Sequence, residues 1–285
     1  MMLRANGLDF ACDEAGSGDD VALCLHGFPE SRFSWRYQLP VLAQAGWRAV
    51  APDLRGYGQS SRPNGKAAYH IDHLVADVAA MFEALGARRK LLVAHDWGAA
   101  IAWTAAMRRA VPLDGLIIMN VPHPTVFGDL IRHYRPQQLK SWYVAFFQIP
   151  WLPEFLLRRN RAEGIAKAFL NMAVDKAMFP PDVLEVYRQN ALIPGALTAM
   201  INYYRANLKS LGEVSPPIEI PTLMLWGEED KALDIKLTEG YGPHVKDFTL
   251  VRFPQVSHWV QQEAPDAVNA AMLGWMGEKG LAPPT

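Results

Sequence analysis

An aspartate stands in this sequence where a catalytic nucleophile is expected. Asp96 lies in the run AHDWG at residues 94–98, after an apolar stretch and before a helical pattern. A small residue on either side, two positions from the central one, is the pattern of a nucleophile elbow, and most elbows carry serine at the centre. A carboxylate needs no base to activate it. The sequence therefore predicts a nucleophile that forms an ester on the enzyme itself.

Two more acid–base residues follow Asp96 in chain order. Asp230 comes after the strand-like run LWGEE at 225–229, and His258 lies in QVSHW at 255–259, after the last strand-like run. The order nucleophile, acid, histidine matches the α/β-hydrolase arrangement. Because the carboxyl ends of strands in an open α/β sheet meet at one edge, we expect the three side chains to converge.

Each of these residues has an alternative interpretation. Asp96 could serve only as a helix N-cap, although its place in a complete elbow favours the nucleophile. Glu228, Glu229 and Asp234 compete with Asp230 for the role of the acid. The predicted catalytic histidine is one of 8, but it alone follows the last strand-like run in a Ser-His-Trp turn.

A second motif, HGFP at residues 26–29, follows the first buried strand-like run. In this arrangement the loop supplies one backbone N–H to an oxyanion hole, and the residue after the nucleophile supplies the other. Here those residues are Phe28 and Trp97. Simple strand termination is the alternative interpretation of the His-Gly turn.

These motifs require a scaffold, and strand-like and helix-like patterns alternate in the first part of the chain. Short apolar runs separated by helical spacing predict a mostly parallel sheet flanked by helices. From residue 121 to 215 the chain is mainly helical and aromatic, after which strand-like runs resume. We therefore expect an α/β-hydrolase core of residues 1–120 and 216–285, with an inserted helical cap, or lid, of residues 121–215. The strand-like runs are 21–25, 47–52, 91–94, 116–119, 221–227 and 248–253, and the clearest helical stretches are 71–85, 99–109 and 265–276.

Composition excludes several classes of function. The chain has 285 residues and a formal net charge of -1, so charge makes no case for nucleic acid or an anionic membrane as partner. The first residues contain no apolar signal core, and no apolar run is long enough to span a bilayer. Cys12 and Cys24 lack metal or redox spacing, and His70 and His73 lack a third ligand. We expect a cytoplasmic monomer or homodimer with no metal and no cofactor.

Three segments make the chain resemble the epoxide hydrolases of the α/β-hydrolase fold: HGFPESRFSWRYQ at 26–38, residues 46–61 with DLRGYG at 53–58, and HDWG at 95–98. The resemblance implies hydrolysis of a small-molecule epoxide by water to a vicinal diol, through a covalent ester of the nucleophile. It also favours Asp230 as the acid, since EEDK at 228–231 matches the family pattern.

The resemblance implies two catalytic tyrosines in the cap. Tyr143, in WYVAFFQ at 142–148, matches the first, and Tyr204, in NYYR at 202–205, matches the second. Tyr203 competes for the second role, because adjacent helix residues point in different directions.

Dehalogenases that use the same aspartate are the main alternative function. Fluoroacetate dehalogenases, which act on a haloacetate, follow the nucleophile with arginine, where this chain has Trp97, and carry a cap His-Trp pair where it has Trp142 and Tyr143. Haloalkane dehalogenases prefer Asn or Glu at the position of Phe28 and lack the tyrosine pair. A non-catalytic binding protein of this fold is a third alternative, disfavoured by the complete set of site residues.

Aromatic residues are frequent around the predicted site and favour an apolar aryl or alkyl epoxide. The alternative is that many of them only pack the cap against the core. The side chains predicted to contact substrate are Trp35, Phe146, Phe147 and Trp259.

Overall fold

The computed structural model describes residues 1–208 and 215–282. Within these residues eight strands form one sheet. The strands are β1 (Met2–Ala5), β2 (Leu8–Ala15), β3 (Asp20–Leu25), β4 (Arg48–Pro52), β5 (Arg89–His95), β6 (Gly115–Met119), β7 (Thr222–Gly227) and β8 (Phe248–Phe253).

The strand order reverses near the middle of the sheet. The order is β1-β2-β4-β3-β5-β6-β7-β8; β2 is antiparallel to β1 and β4, and the other neighbouring strands are parallel. The predicted mostly parallel sheet is confirmed. The chain passes from β3 to β4 on one side and then to β5 on the other side of β3. The loops after β3 and β5, which carry residues 26–29 and Asp96, therefore open at a topological switch point, where α/β sheets bind ligands.

Helices account for most of the remaining described residues. Helix α7 is broken at Arg159–Ala162, where Asn160, Arg161 and Ala162 have positive φ angles. The helices are α1 (Gln38–Gln44), α2 (Ile71–Ala84), α3 (Trp97–Met107), α4 (Pro124–His133), α5 (Arg135–Lys140), α6 (Trp142–Phe146), α7 (Leu152–Met172), α8 (Pro181–Leu192), α9 (Ala196–Asn207), α10 (Val260–Glu263) and α11 (Pro265–Glu278).

The central strands are buried on both faces. Leu91 and Val93 of β5 pack in a core with side chains of α1 and α11, whereas Leu92 and Ala94 pack in the core that includes α2 and α3. This alternation follows from the two-residue period of a strand. It explains why these strands are continuous apolar runs in the sequence rather than alternating ones.

The six helices α4 to α9 lie in the chain between β6 and β7. Helix α9 packs against α2 and α7, and its Tyr203 hydroxyl donates a hydrogen bond of 2.7 Å to the carbonyl of Arg55 in the core. The predicted second boundary of the cap, at residue 215, follows residues 209–214, which lie outside the described residues. In the two described stretches of chain, no helix is both long and apolar enough to cross a membrane.

Candidate active site

Asp96 forms the turn between β5 and α3. Its backbone has φ 48° and ψ −124°, a conformation that costs free energy for a residue with a side chain and that aims the carboxylate out of the sheet edge. Two glycines allow the close approach. A Cβ atom on Gly98 would lie 2.2 Å from the carbonyl oxygen of Leu25, and one on Gly27 would lie 2.2 Å from Oδ1 of Asp96. The elbow is thus packed directly against the end of β3.

The two carboxylate oxygens of Asp96 have different surroundings. Oδ1 accepts a hydrogen bond of 2.6 Å from the backbone N–H of Phe28, and Oδ2 lies 3.5 Å from Nε2 of His258. The Phe28 turn is held by His26, whose Nε2 accepts from the Leu54 N–H at 3.1 Å and whose Nδ1 therefore donates to the Gly27 carbonyl at 3.0 Å. Oδ1 is therefore held by a backbone donor, and Oδ2 is the oxygen that is free to act as the nucleophile.

His258 is held by Asp230. Its Nδ1 donates to Oδ2 of Asp230 at 2.6 Å, and Oδ1 of the same carboxylate accepts from the N–H groups of Ala232 and Leu233 at 2.7 and 2.9 Å. The competing acids lie elsewhere: Glu228 and Glu229 are exposed, and Asp234 accepts from the Lys236 N–H to begin a short 3-10 turn. Among the four acids considered, the structure brings Asp230 to the histidine.

The sequence analysis did not identify Asn120, whose side chain holds the Asp230 carboxylate in position. Its Nδ2 donates to Oδ2 of Asp230 at 2.9 Å, and its Oδ1 accepts from the Gly227 N–H at 2.8 Å. Asn120 directly follows β6 with φ 46°. A polar residue at the end of a buried strand, at the edge where the site lies, was the available signal.

A buried network behind the site also escaped the sequence analysis. Glu30, directly after the HGFP motif, accepts from Nδ1 of His95 at 2.8 Å and from Nε2 of Gln261 and Gln262 at 2.9 and 2.7 Å. The other ring nitrogen of His95 donates to the backbone carbonyl of His258 at 2.8 Å. This network fixes the backbone that carries the catalytic-histidine candidate.

The three central groups are charged in the resting site. Burial opposes ionisation of Asp96 and Asp230, but the ion pairs and hydrogen bonds with His258 hold the pKa of both carboxyls below the usual range. Burial also opposes the imidazolium of His258, yet Asp230 and then Asp96 raise its pKa to about 10. The site therefore holds an imidazolium between two carboxylates.

Two tyrosines face Asp96 across a cavity. Tyr143 and Tyr204 both line the cavity with Asp96, and their ring centroids lie 5.9 Å apart at an interplanar angle of 87°. Burial, and then the negative charge of Asp96, raise the pKa of both hydroxyls. Both are therefore neutral hydrogen-bond donors. Tyr203 is excluded from this position, because its hydroxyl is bonded to Arg55 in the core.

The cavity has a volume of about 150 Å³ and is mainly apolar. Helices α2, α3, α4, α6 and α9 all contribute residues to its wall. Apart from Asp96, Tyr143 and Tyr204, its lining residues are Ile71, Trp97, Ala100, Thr104, Val121, Pro122, Pro124, Phe127, Val144, Asn207, Leu208 and Leu233.

None of the four aromatic residues predicted to contact substrate lines this cavity. Trp35 is fully buried in the core beneath the sheet, with α1 and α11. Trp259 packs on Phe169 with a centroid distance of 4.4 Å, and its buried ring also meets the His258 imidazole edge-on at 5.0 Å. Phe147 is buried behind Tyr204 at 4.8 Å, and Phe146 packs beside it at 5.8 Å.

Of the two histidines set aside as metal ligands, His70 has a structural role and His73 is exposed. Nδ1 of His70 accepts from the Asp72 N–H at the start of α2, and so caps that helix. Across residues 1–208 and 215–282 there is no cluster of three or more His, Cys, Asp or Glu side chains that could hold a metal ion.

Comparison with known proteins gives one consistent family. Residues 21–265 match the family model described as alpha/beta hydrolase fold. Human epoxide hydrolase 4 is 37% identical over 283 residues, which are 97% of this chain and 78% of that protein. The AB hydrolase superfamily protein YfhM of Bacillus subtilis is 37% identical over 276 residues, 96% of both chains. The crystal structure of a Bacillus megaterium epoxide hydrolase bound to an inhibitor matches with a TM-score of 0.90 and 31% identity, covering 97% of this chain and 100% of that one.

Proposed function

We infer that this chain hydrolyses epoxides to vicinal diols, because it belongs to the α/β-hydrolase fold family and, within it, to the epoxide hydrolases. One observation carries the assignment of roles. An ionised aspartate on an elbow faces two neutral tyrosine hydroxyls across one cavity. An epoxide between them would meet a nucleophile on its carbon side and proton donors on its oxygen side.

The first half-reaction opens the ring. Oδ2 of Asp96 attacks a ring carbon, the carbon–oxygen bond breaks, and the ring oxygen takes a proton from Tyr143 or Tyr204. General-acid assistance of this kind contributes about 10²–10⁴-fold in rate. The product is a hydroxyalkyl ester of Asp96, and the tyrosinate left behind requires one proton.

Ester formation prepares His258 for the second half-reaction. The ester has no charge, so one of the two carboxylates that raise the pKa of His258 is removed. The imidazolium then releases its proton more readily, and this proton can restore the tyrosine. Neutral His258 is the base that hydrolysis of the ester requires.

The second half-reaction releases the diol. His258 removes a proton from water, and the resulting hydroxide attacks the ester carbonyl carbon of Asp96. Asp230 holds the ring in the tautomer with a proton on Nδ1 and stabilises the new imidazolium. The oxyanion is Oδ1, which the Phe28 N–H already contacts, and the Trp97 N–H is the second donor. Collapse expels the diol alkoxide, which takes a proton from His258. The carboxylic acid left on Asp96 then gives its proton to His258, which restores the carboxylate and the imidazolium.

Residues 121–215 act as the cap over the core formed by 1–120 and 216–285. Supporting this division, Tyr143, Val144 and Tyr204 line the cavity from one side, and Asp96 and Trp97 line it from the other. The apolar wall favours alkyl or aryl epoxides over charged ones.

A substrate panel tests the function. Purified protein should be incubated with terminal alkyl epoxides, styrene-type epoxides, haloalkanes and haloacetates, and both diol and halide should be measured. We expect diol from the epoxides and no halide above the level of an Asp96→Ala control. Halide release without any diol formation would instead assign the same nucleophile to dehalogenation.

A further inference from the structure

The outer surface of the cap carries exposed aromatic rings beside unpaired basic groups. Trp142 is 66% exposed, Trp151 is 71% exposed and Phe155 is 54% exposed. With rings of about 150–250 Å² each, these three leave on the order of 300–400 Å² of aromatic surface in water. Monomeric proteins rarely expose contiguous apolar surface larger than this unless it binds something.

Seven side chains of the segment 142–159 are here called the cap ridge: Trp142, Phe146, Ile149, Trp151, Phe155, Arg158 and Arg159. Trp142 touches Phe146 one helical turn on, with centroids 5.9 Å apart, and the Phe146 carbonyl accepts from the Ile149 N–H. Trp151 directly precedes α7, and its carbonyl accepts from the N–H of Phe155, whose ring lies 5.7 Å below the Arg159 guanidinium. The ridge thus contains two groups of rings close together in the chain, Trp142 with Phe146 and Trp151 with Phe155, and the second group lies beside Arg159.

The charge around the ridge is concentrated and positive. Residues 132–161 contain six Lys or Arg and one Glu. Arg132, Lys140 and Arg161 pair with acids outside this segment, whereas Arg135, Arg158 and Arg159 form no ion pair with a described residue. The one acid, Glu154, is neutralised by Arg205 at 2.5 Å. Arg158 and Arg159 are both exposed. The low net charge of the whole chain conceals this local field.

We propose that the cap ridge docks the enzyme on anionic lipid membranes. Tryptophan and phenylalanine rings insert at the boundary between headgroups and acyl chains, and neighbouring arginines pair with anionic headgroups. Each such cation is attracted to an anionic surface. A second copy of this chain fits the ridge less well, because a two-fold interface would place the unpaired Arg158 and Arg159 of both copies on one shared surface.

Docking at this surface would place the cavity next to the bilayer. Tyr143 and Val144, which line the cavity, directly follow Trp142 on the short helix α6. An α-helix with its side chains is about 10–12 Å across, so a bilayer touching Trp142 lies within about one helix width of the cavity. Apolar epoxides concentrate in bilayers, and the ridge would hold the site close to them.

Vesicle sedimentation tests the proposal. Full-length protein is spun with vesicles of phosphatidylcholine alone or of phosphatidylcholine mixed equally with phosphatidylglycerol. We expect binding to the mixed vesicles that falls with added salt. W142S/W151S and R158Q/R159Q should each lower the partition coefficient roughly tenfold or more, whereas the matched surface variants M2S/L273S and R88Q/R109Q should not. Diol formation from a water-soluble epoxide without vesicles should stay at the wild-type level in all four variants.

Three outcomes would overturn the proposal. Wild-type protein could stay in the supernatant with both kinds of vesicle. The ridge variants could sediment as well as the matched controls. Light scattering could show a dimer that W142S/W151S dissociates while vesicle binding is absent, which would assign the ridge to self-association. None of these outcomes depends on epoxide turnover, so docking and the proposed function can fail separately.

Discussion

The backbone N–H of Phe28 donates a 2.6 Å hydrogen bond to Oδ1 of Asp96. Because of this contact, the two oxygens of the Asp96 carboxylate have different roles. Oδ1 is already in the position where negative charge returns when water attacks the ester, and Oδ2 faces His258 and the substrate space. Such a preformed donor is worth roughly 3–4 kcal/mol to a transition state that carries an oxyanion.

Replacement of the lid tyrosines should slow ring opening. Tyr143→Phe and Tyr204→Phe should each reduce the single-turnover rate of ester formation about 10²-fold or more, and the double variant should show no detectable opening. Tyr203→Phe is the matched control on the adjacent helix position. Its hydroxyl bonds the Arg55 carbonyl, so its loss should lower the thermal midpoint and leave the rate of ester formation near wild type. The opposite pattern for Tyr203 and Tyr204 would reverse their assignment.

Removal of the base should trap the intermediate. In His258→Gln, Asp96 keeps its nucleophilic oxygen and the tyrosines keep their protons, so the ester should form but not hydrolyse. Intact-protein mass spectrometry after mixing with an epoxide should show the mass of one substrate added. The same treatment of the His258→Gln/Asp96→Ala double variant should show no adduct. An adduct that persists in the double variant would place the ester on another residue.

Asn120 should matter for the second half-reaction. Asn120→Ala removes one donor to Asp230 and leaves Gly227 without its side-chain partner, so the acid should hold His258 less well. We expect hydrolysis of the ester to slow about tenfold, the cost of one hydrogen bond to a charged group. Ester formation should change much less. Rapid-quench measurement separates the two steps, and an equal loss in both would indicate general destabilisation.

Stability should depend on pH through His258. Its pKa is raised to about 10 in the folded chain, against about 6.5 when unfolded. The stabilising effect of its two carboxylate partners is therefore complete below about pH 6.5 and is lost as the pH rises through about 10. The free energy of unfolding of wild type minus that of His258→Gln should accordingly be larger near pH 6 than near pH 9–10. The exposed His133→Gln is the matched control, measured by urea titration across the same range.

Gly27 should tolerate no side chain. In Gly27→Ala the new Cβ would overlap Asp96, and the carboxylate would have to leave the Phe28 donor. We expect loss of activity of at least 10²-fold in folded protein, read from diol formation and circular dichroism together. Gly274→Ala, in open space on α11, should instead be stabilising by up to about 1 kcal/mol. Full activity in Gly27→Ala would contradict the geometry of the elbow.

Sequence patterns predicted the scaffold well, because strands buried on both faces form short continuous apolar runs that are easy to recognise in a sequence. Strands β3 to β8 lie on the six predicted runs. The first hairpin was missed, although Asn6 and Gly7, with φ 46° and 73°, form the Asn-Gly turn that often joins two strands.

The site was less predictable where a role depends on direction or on distant pairing. Tyr203 and Tyr204 are adjacent in sequence, and only the fold shows that one points to the core and the other to the cavity. Trp259 was a plausible substrate contact by its position after His258, yet it packs on Phe169. Asn120 acts on a carboxylate 110 residues away, and no local pattern carries such a relationship.

The covalent role of Asp96 is tested most directly by a single turnover in heavy-oxygen water, with enzyme in excess over epoxide. The peptide that contains Asp96 is then analysed by mass spectrometry. We predict that the heavy oxygen is found in the Asp96 carboxylate and that the diol of this first turnover carries none. An unlabelled Asp96 together with a labelled diol would show that water attacks the epoxide directly, and would contradict the ester mechanism.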